Sequence, residues 1–252
     1  MFSIKKFNTL SDFNYTISYK EKTESTNNDA LKKIAENNYK NNMLFITDQQ
    51  THGRGRQNRK WHATPTSHLA FSLIITPHIN YKKSGLISLM AGVSIIEGLR
   101  NLTKINFELK WPNDIIYNNK KIGGILIESK INNQNAVFNI GIGLNVNEDQ
   151  EDFSKELQNI AISLKMIVGY SIQREPLLAE ILNELNKLTI NLDNEKLIDL
   201  WMKNCDHINK TVQFNKNDEK ISGTFKGINN TGQALIEIHN QIIHYNQPIT
   251  II

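Results

Sequence analysis

Phe107-Glu108-Leu109-Lys110-Trp111-Pro112-Asn113-Asp114-Ile115-Ile116-Tyr117-Asn118-Asn119-Lys120-Lys121-Ile122-Gly123-Gly124-Ile125-Leu126-Ile127-Glu128 sets three short apolar runs between two polar breaks. Runs this short, separated by Pro-Asn-Asp and by Asn-Asn, read as strands joined by turns rather than as helix. The strands are Phe107 to Lys110, Ile115 to Tyr117 and Lys121 to Glu128. A fourth, Ala136 to Asn145, follows a turn over Asn132 to Asn135. Asn118-Asn119 predicts a tight hairpin. Gly123-Gly124 inside a strand predicts a bulge or a ligand pressed against the backbone.

Upstream, the pattern differs. Leu86 to Leu102 is apolar on a wide face and reads as a buried helix, and Leu69 to Ile75 and Met43 to Thr47 read as buried strands. Ala30, Leu31, Ile34 and Ala35 fall at helical spacing after Ser25 or Thr26, either of which serves as a cap. Downstream come two helices, Pro176 to Ile190, with a stripe of Leu177, Leu178, Ile181, Leu182, Leu185 and Leu188, and Asn194 to Asn204. Proline in the first turn suits the former. The tail reads as strands at Val212 to Phe214, Lys220 to Ile228, Ala234 to Ile238 and Ile242 to Ile252. Elements that mix without strict alternation predict an α+β fold with a mixed, largely antiparallel sheet and helices on one side. Two domains are expected, 1–207 and 208–252, the second too small to be very stable unless it packs on the first.

The 252 residues carry 29 Lys+Arg against 25 Asp+Glu, a formal net charge of +4, too little to demand nucleic acid. Cys205 is the sole cysteine, which excludes a disulfide framework and any multi-cysteine metal site. It is expected as a buried hydrophobe on the apolar side of a helix beside Trp201. The opening Met1-Phe2-Ser3-Ile4-Lys5-Lys6 lacks the apolar core of a signal peptide. No run approaches the ~18 apolar residues of a membrane span. A soluble, cytoplasmic protein is the expectation.

Three segments carry chemistry. In Gln50-Thr51-His52-Gly53-Arg54-Gly55-Arg56-Gln57-Asn58-Arg59-Lys60-Trp61, arginines alternate with glycines without helical or strand periodicity. Glycine lets the backbone pass close to a ligand, and arginine offers forked donors for phosphate or carboxylate oxygens. The segment reads as a loop wrapping an anionic ligand, as a solvated basic loop, or as a phosphate-gripping arm on nucleic acid. No GxxxxGK[ST] loop occurs, and the third glycine of a dinucleotide fingerprint is missing at Asn58. The second segment places Asp114 and Lys121 on adjacent strands, either as an ordinary surface ion pair or facing one pocket. In a pocket, Asp114 suits a divalent cation and Lys121 neutralises charge developing on phosphorus or carboxylate. The third, Gly141-Ile142-Gly143-Leu144-Asn145-Val146-Asn147, reads either as a tight turn or as a strand end that removes side chains where something must approach, with Asn145 as an uncharged reader for an edge such as a purine's. The seven histidines show no metal-ligand spacing.

Together these segments resemble biotin protein ligase (biotin–[acetyl-CoA-carboxylase] ligase). Glu24-Ser25-Thr26-Asn27 looks like that family's S-T-N, and Gly53 to Trp61 like its G-R-G-R-x-G-R-x-W loop. Lys110 to Asp114 is similar to K-W-P-N-D, Lys121 to Glu128 to K-x-x-G-I-L-x-E, and Gly141 to Asn147 to G-x-G-x-N-x-N. The tail resembles the family's small SH3-like C-terminal barrel. Asn58 stands where the family loop has Gly; Asn tolerates a left-handed backbone, so the loop shape is expected to survive. Only 24 residues precede Ser25, so the resemblance is to the short, monofunctional class without an N-terminal helix-turn-helix.

The resemblance implies a class II synthetase-like catalytic domain that activates biotin with Mg-ATP as biotinyl-5′-AMP. The biotin then passes to a lysine of a biotin carboxyl carrier domain. It implies that Ser25, Thr26, Asn27, Gln50, Gly53, Arg54, Gly55, Arg56 and Lys121 bind biotin. Arg54, Arg56, Arg59, Trp61, Asn113 and Asn145 serve ATP or the adenylate. Lys121, Arg56 and Asp114 are the catalytic set, with Asp114 also a candidate for Mg. The rival readings are a lipoate–protein ligase and a biotin-responsive DNA-binding regulator. No sequence-specific nucleic acid or membrane partner is expected. A homodimer through an exposed strand such as Ala136 to Asn145 is the family analogy.

Overall fold

The computed structural model describes residues 1–77, 85–132, 135–190, 193–216 and 219–252. In chain order the elements are α1 (Ile4–Leu10), β1 (Thr16–Thr23), α2 (Thr26–Ala35), β2 (Met43–Gln50), β3 (Leu69–Ile75), α3 (Gly85–Thr103), β4 (Glu108–Lys110), β5 (Asp114–Tyr117), β6 (Lys120–Asn132) and β7 (Asn135–Leu144). There follow α4 (Leu164–Val168), α5 (Arg174–Ile190), α6 (Asn194–Lys203), β8 (Thr211–Lys216), β9 (Glu219–Ile228), β10 (Ala234–Ile238), β11 (Gln241–Tyr245) and β12 (Thr250–Ile251). The centre of the turn expected over 132–135 lies outside the described residues.

Seven strands form one sheet in the order β1-β2-β3-β7-β6-β5-β4, with only β1 and β2 parallel. Asn118 and Asn119 form a two-residue hairpin turn between Tyr117 and its partner Lys120. Both have positive φ, 48° and 62°, which asparagine tolerates better than most residues. The bulge expected near Gly123-Gly124 falls one step earlier. Ile115 faces Gly123 while Ile116 faces Lys121, leaving Ile122 as the extra residue.

The pleat divides the strands between two cores. Leu69, Phe71, Leu73 and Ile75 of β3 join α3 and α5 on one face, together with Phe138, Ile140, Ile142 and Leu144 of β7. Phe45, Ile74 and Val137 point to the other face, where α2 seals them with Ala30 and Ile34. The helices α3, α5 and α6 thus share one side, and α2 lies on the opposite one. Strand β7 sits at the centre, hydrogen-bonded to both β3 and β6. The expectation that Ala136 to Asn145 offers an exposed edge is therefore corrected; its apolar run is continuous because it is buried on both faces. The edges are β1 and β4.

Two further expectations change. Helix α3 is long and apolar enough to cross a bilayer by length and composition, but 67% of its apolar window is buried within the fold, as befits a core helix. Cys205 is not in a helix: α6 ends at Lys203, and Cys205 pairs in a short bridge with Leu109, half-buried. Burial pushes its thiol up to about 12, so it is an inert packing residue. Helices α1 and α4 and strand β1 carried too little apolar periodicity to be read from sequence. Three of the eight residues of the edge strand β1, Lys20, Glu21 and Lys22, are charged and exposed.

The last five strands make an antiparallel sheet, β11-β10-β9-β8-β12. Its inner residues Val212, Phe214, Phe225, Ile228, Ala234, Ile236 and Ile249 belong to the same apolar core as α3 and α5. Buried His207 carries the join, edge-on to Trp201 of α6 at 6.3 Å and 4.3 Å from Phe225 of β9. Trp111 Nε1 also donates to Gly232 O at 3.2 Å.

Candidate active site

Helix α2 follows β1, and its first turn lies against the end of the neighbouring strand β2, where the two shape one wall of a cleft. Ser25 occupies the N-cap position with extended backbone but makes no capping bond through its side chain. The cap comes from β2: Gln50 Oε1 accepts from Thr26 N at 2.8 Å and from Thr26 Oγ1 at 3.2 Å. Ser72 of β3 lies beneath, its Oγ 2.8 Å from Thr26 Oγ1 and 2.5 Å from Asn27 Oδ1. Asn139 Nδ2 donates to Asn27 O at 3.4 Å, and Asn27 Nδ2 donates to Glu128 Oε2 at 3.1 Å. Gly141 has a purpose here: a Cβ on it would stand 2.0 Å from Asn27 Oδ1.

Two residues before Gln50, Asp48 anchors β2. Asp48 is buried against Arg174 of α5 at 2.8 Å and accepts from Tyr19 Oη at 2.7 Å and from Phe2 N at 3.2 Å. Burial works to raise its pKa, but the Tyr19 hydroxyl and the Arg174 guanidinium outweigh that and hold it below the ordinary carboxylate value. This ion pair ties α1, β1, β2 and α5 together behind the cleft.

The glycine- and arginine-rich segment is a small closed loop. Gly55 N donates to Arg59 O at 2.7 Å and Trp61 N to Gly53 O at 2.9 Å, with a bridge between Arg54 and Lys60. One turn of 3₁₀ helix, Arg56–Asn58, caps it, with Gln57 and Asn58 both left-handed at φ 54° and 58°. Asn58 thus adopts the conformation its chemistry tolerates. Trp61 lies flat on β7, where a Cβ on Gly143 would come within 2.6 Å of its ring. Its buried Nε1 has no hydrogen-bond partner, a donor without an acceptor in a cleft wall.

The opposite wall is charged. Lys121 Nζ donates to Asp114 Oδ1 at 2.6 Å across the β5–β6 hairpin, with 38% and 27% of the two side chains exposed. Arg56 sits near them; burial lowers its pKa, and the Asp114 carboxylate partly restores it. Two cations against one carboxylate leave this end net positive. Lys121 is fixed by backbone too, since its N and O bond to Ile160 O and Ile162 N at 2.8 and 3.0 Å. Asn113 and Asn145 act as struts: Asn113 Nδ2 donates to Ile125 O at 2.8 Å, and Asn145 Nδ2 bridges Lys121 O and Ile162 O at 3.4 and 3.3 Å.

Ser25, Thr26, Asn27, Gln50, Arg54, Gly55, Arg56, Arg59, Trp61, Asn113, Asp114, Lys121 and Asn145 all line one cleft of about 650 Å³. Gly53 is the exception among the sequence candidates. It lies at the base of the loop, where a Cβ would come 2.6 Å from Trp61 O, so it shapes the loop rather than the wall. Sequence reading missed Ser72, a polar residue inside an apolar strand, which was a usable signal. It also missed Pro248, Ile249 and Thr250, which reach the cleft from the C-terminal sheet; no local pattern announces such a long-range approach. Among the described residues no group of three His, Cys, Asp or Glu side chains is placed to hold a metal ion. With Asp114 Oδ1 taken by Lys121, the expected metal role of Asp114 has no protein-built cage behind it.

Comparison with known proteins places this geometry. Residues 19–147 match the Biotin/lipoate A/B protein ligase family, and residues 207–247 match the Biotin protein ligase C terminal domain. The "Bifunctional ligase/repressor BirA" of Bacillus subtilis is 33% identical over 83% of this chain and 66% of its own length. The "Biotin--[acetyl-CoA-carboxylase] ligase" of Mycobacterium tuberculosis is 30% identical over 68% of this chain and 63% of its own. The chain thus spans just under two thirds of these two relatives. The structure of biotin protein ligase from Aquifex aeolicus in complex with biotin and ATP superposes with a TM-score of 0.77 at 26% identity, over 95% of this chain and 99% of that one. With a family match over half its residues, the chain belongs to the Biotin/lipoate A/B protein ligase family.

Proposed function

We infer that the protein is an ATP-dependent biotin ligase that makes biotinyl-5′-AMP and transfers the biotin to a lysine of a biotin carboxyl carrier domain. One observation carries the reading. A single cleft joins a neutral, amide- and hydroxyl-lined end at Ser25, Thr26 and Gln50 to a cationic end at Arg56 and Lys121. A ligand with an uncharged hydrogen-bonding head and a carboxylate tail fits that polarity. The complex of the Aquifex aeolicus relative with biotin and ATP supports both substrates.

In the first step a biotin carboxylate oxygen forms a bond to the α-phosphorus of ATP, and the bond to the pyrophosphate oxygen breaks. Two anions must meet, so cations at the junction lower the barrier. Lys121, held by Asp114, and Arg56 sit where carboxylate and phosphate converge, each such contact being worth ~2–4 kcal/mol in the transition state. In the second step the acceptor lysine nitrogen bonds to the acyl carbon, AMP leaves, and the amine loses a proton. The Arg54–Trp61 loop excludes water from the mixed anhydride between the steps. Magnesium accompanying ATP has no cage of protein ligands among the described residues; such an ion is held by phosphates and water.

The test is transfer of biotin to a purified carrier domain with Mg-ATP, beside an identical assay with lipoate. Labelling with biotin alone is expected. Labelling with lipoate alone overturns the substrate assignment, and labelling with neither overturns the activity.

A further inference from the structure

Glu128 stands outside the catalytic set, yet its carboxylate gathers the loop and the start of α2. Arg54 Nη2 donates to Glu128 Oε1 at 2.8 Å and Arg54 Nη1 to Glu128 Oε2 at 3.3 Å, a two-pronged pair. Arg54 Nη1 also donates to Asn28 Oδ1 at 2.9 Å, and Asn27 Nδ2 donates to Glu128 Oε2 at 3.1 Å. Glu128 is on β6 and Asn27 and Asn28 are on α2, so Arg54 ties the loop to two separate elements. The loop is also seated at its far end, where Trp61 lies against Gly143.

We propose that Glu128 is a positioning residue that latches the Arg54–Trp61 loop over the cleft through Arg54, leaving Arg56 to meet the ligand's anions. The guanidinium of Arg54 has its forked face on Glu128, whereas Arg56, among the described residues, has the nearby charge of Asp114 and no ion pair. The two loop arginines therefore divide the work. A latch formed before ligand arrives keeps the closed loop populated, so closing over an intermediate requires less ordering. This role in guarding the adenylate rests on the biotin ligase reading; the latch itself does not.

Glu128→Gln isolates the charge, because the amide oxygen still accepts from Asn27. Amide hydrogen exchange of the ligand-free full chain reads the loop directly through the amides of Gly55, Arg59 and Trp61. Loss of an exposed two-pronged pair is expected to speed their exchange about fivefold, with β3 and β7 unchanged. The reversed pair, Arg54→Glu with Glu128→Arg, is expected to return part of the protection. Unchanged loop exchange in Glu128→Gln overturns the latch, and equal acceleration throughout the sheet overturns it in favour of general destabilisation. In the second arm, escape of biotinyl-5′-AMP into solution is expected to quicken more than its single-turnover formation slows. Faster exchange with unchanged escape overturns the guarding role. A wild-type chain that forms no adenylate would sink the ligase reading while the exchange arm still decides the latch.

Discussion

At the scale of single residues, Lys121 bears on the chemistry and Glu148 on the stability of the fold. Lys121 is held by its backbone to Ile160 and Ile162 and by its side chain to Asp114, so removing the side chain disturbs chemistry more than fold. Lys121→Ala is expected to slow adenylate formation by about 10²–10³-fold, the usual loss for one charge-stabilising donor. The melting temperature should move little, because Asp114 stays partly in water. Glu148 is 2% exposed; Oε2 accepts from Val146 N at 2.7 Å while Oε1 has no partner. Burial raises its pKa to about 7. A carboxyl raised on folding binds its proton more tightly in the native state. Stability is therefore full below the unfolded value near 4.5 and falls as pH rises through about 7. Buried His68, whose pKa burial lowers, acts in the opposite sense at acid pH. Thermal unfolding of Glu148→Gln across pH 5–9 should show a flatter curve and a gain of order 1–3 kcal/mol at pH 8.5. A pH dependence like that of the parent would refute the assignment. At this scale the sequence was informative wherever a motif named the residue, as with Lys121 and Asp114. It was silent on Glu148 and Ser72, whose importance comes from burial.

Among the elements, the loop and the strand beneath it are one device. Gly143 was legible in sequence as a place where something must approach, and Trp61 is what approaches it. Gly143→Ala places a methyl 2.6 Å from the indole ring, and overpacking of this kind costs about 1–3 kcal/mol. Displacing Trp61 opens the loop, so the expected result is a KM for ATP raised about tenfold. An unchanged KM would show that Trp61 does not set that wall. The strands themselves were readable because turn chemistry and apolar length agree over Phe107 to Asn145. Their neighbours were not. Nothing local told that Ala136 to Asn145 lies at the centre of the sheet, since pairing between β3 and β7 joins residues some seventy positions apart. The cap of α2 shows the same limit: Ser25 has the right chemistry, but the neighbouring strand's Gln50 makes the bonds.

Across the whole molecule, one apolar core runs from α3 and α5 through α6 into the five-stranded C-terminal sheet. The two sheets should therefore unfold in one calorimetric transition. Two separated transitions would contradict the continuity of the core at Trp201, His207 and Phe225. The same contact brings Pro248 to Thr250 to the cleft, so the small sheet completes the site as well as the core. Composition and element order disclosed the fold class and the smallness of the tail, but not that the tail reaches the site. Everything functional converges on one claim, that the cleft joins a biotin carboxylate to the α-phosphate of ATP beside Lys121. Biotin-dependent exchange of labelled pyrophosphate into ATP, by the parent and by Lys121→Ala, tests it most directly. The account predicts exchange with biotin and not with lipoate, and its loss by about 10²–10³-fold in a folded Lys121→Ala protein. Exchange that needs lipoate, or that survives in Lys121→Ala, would contradict it.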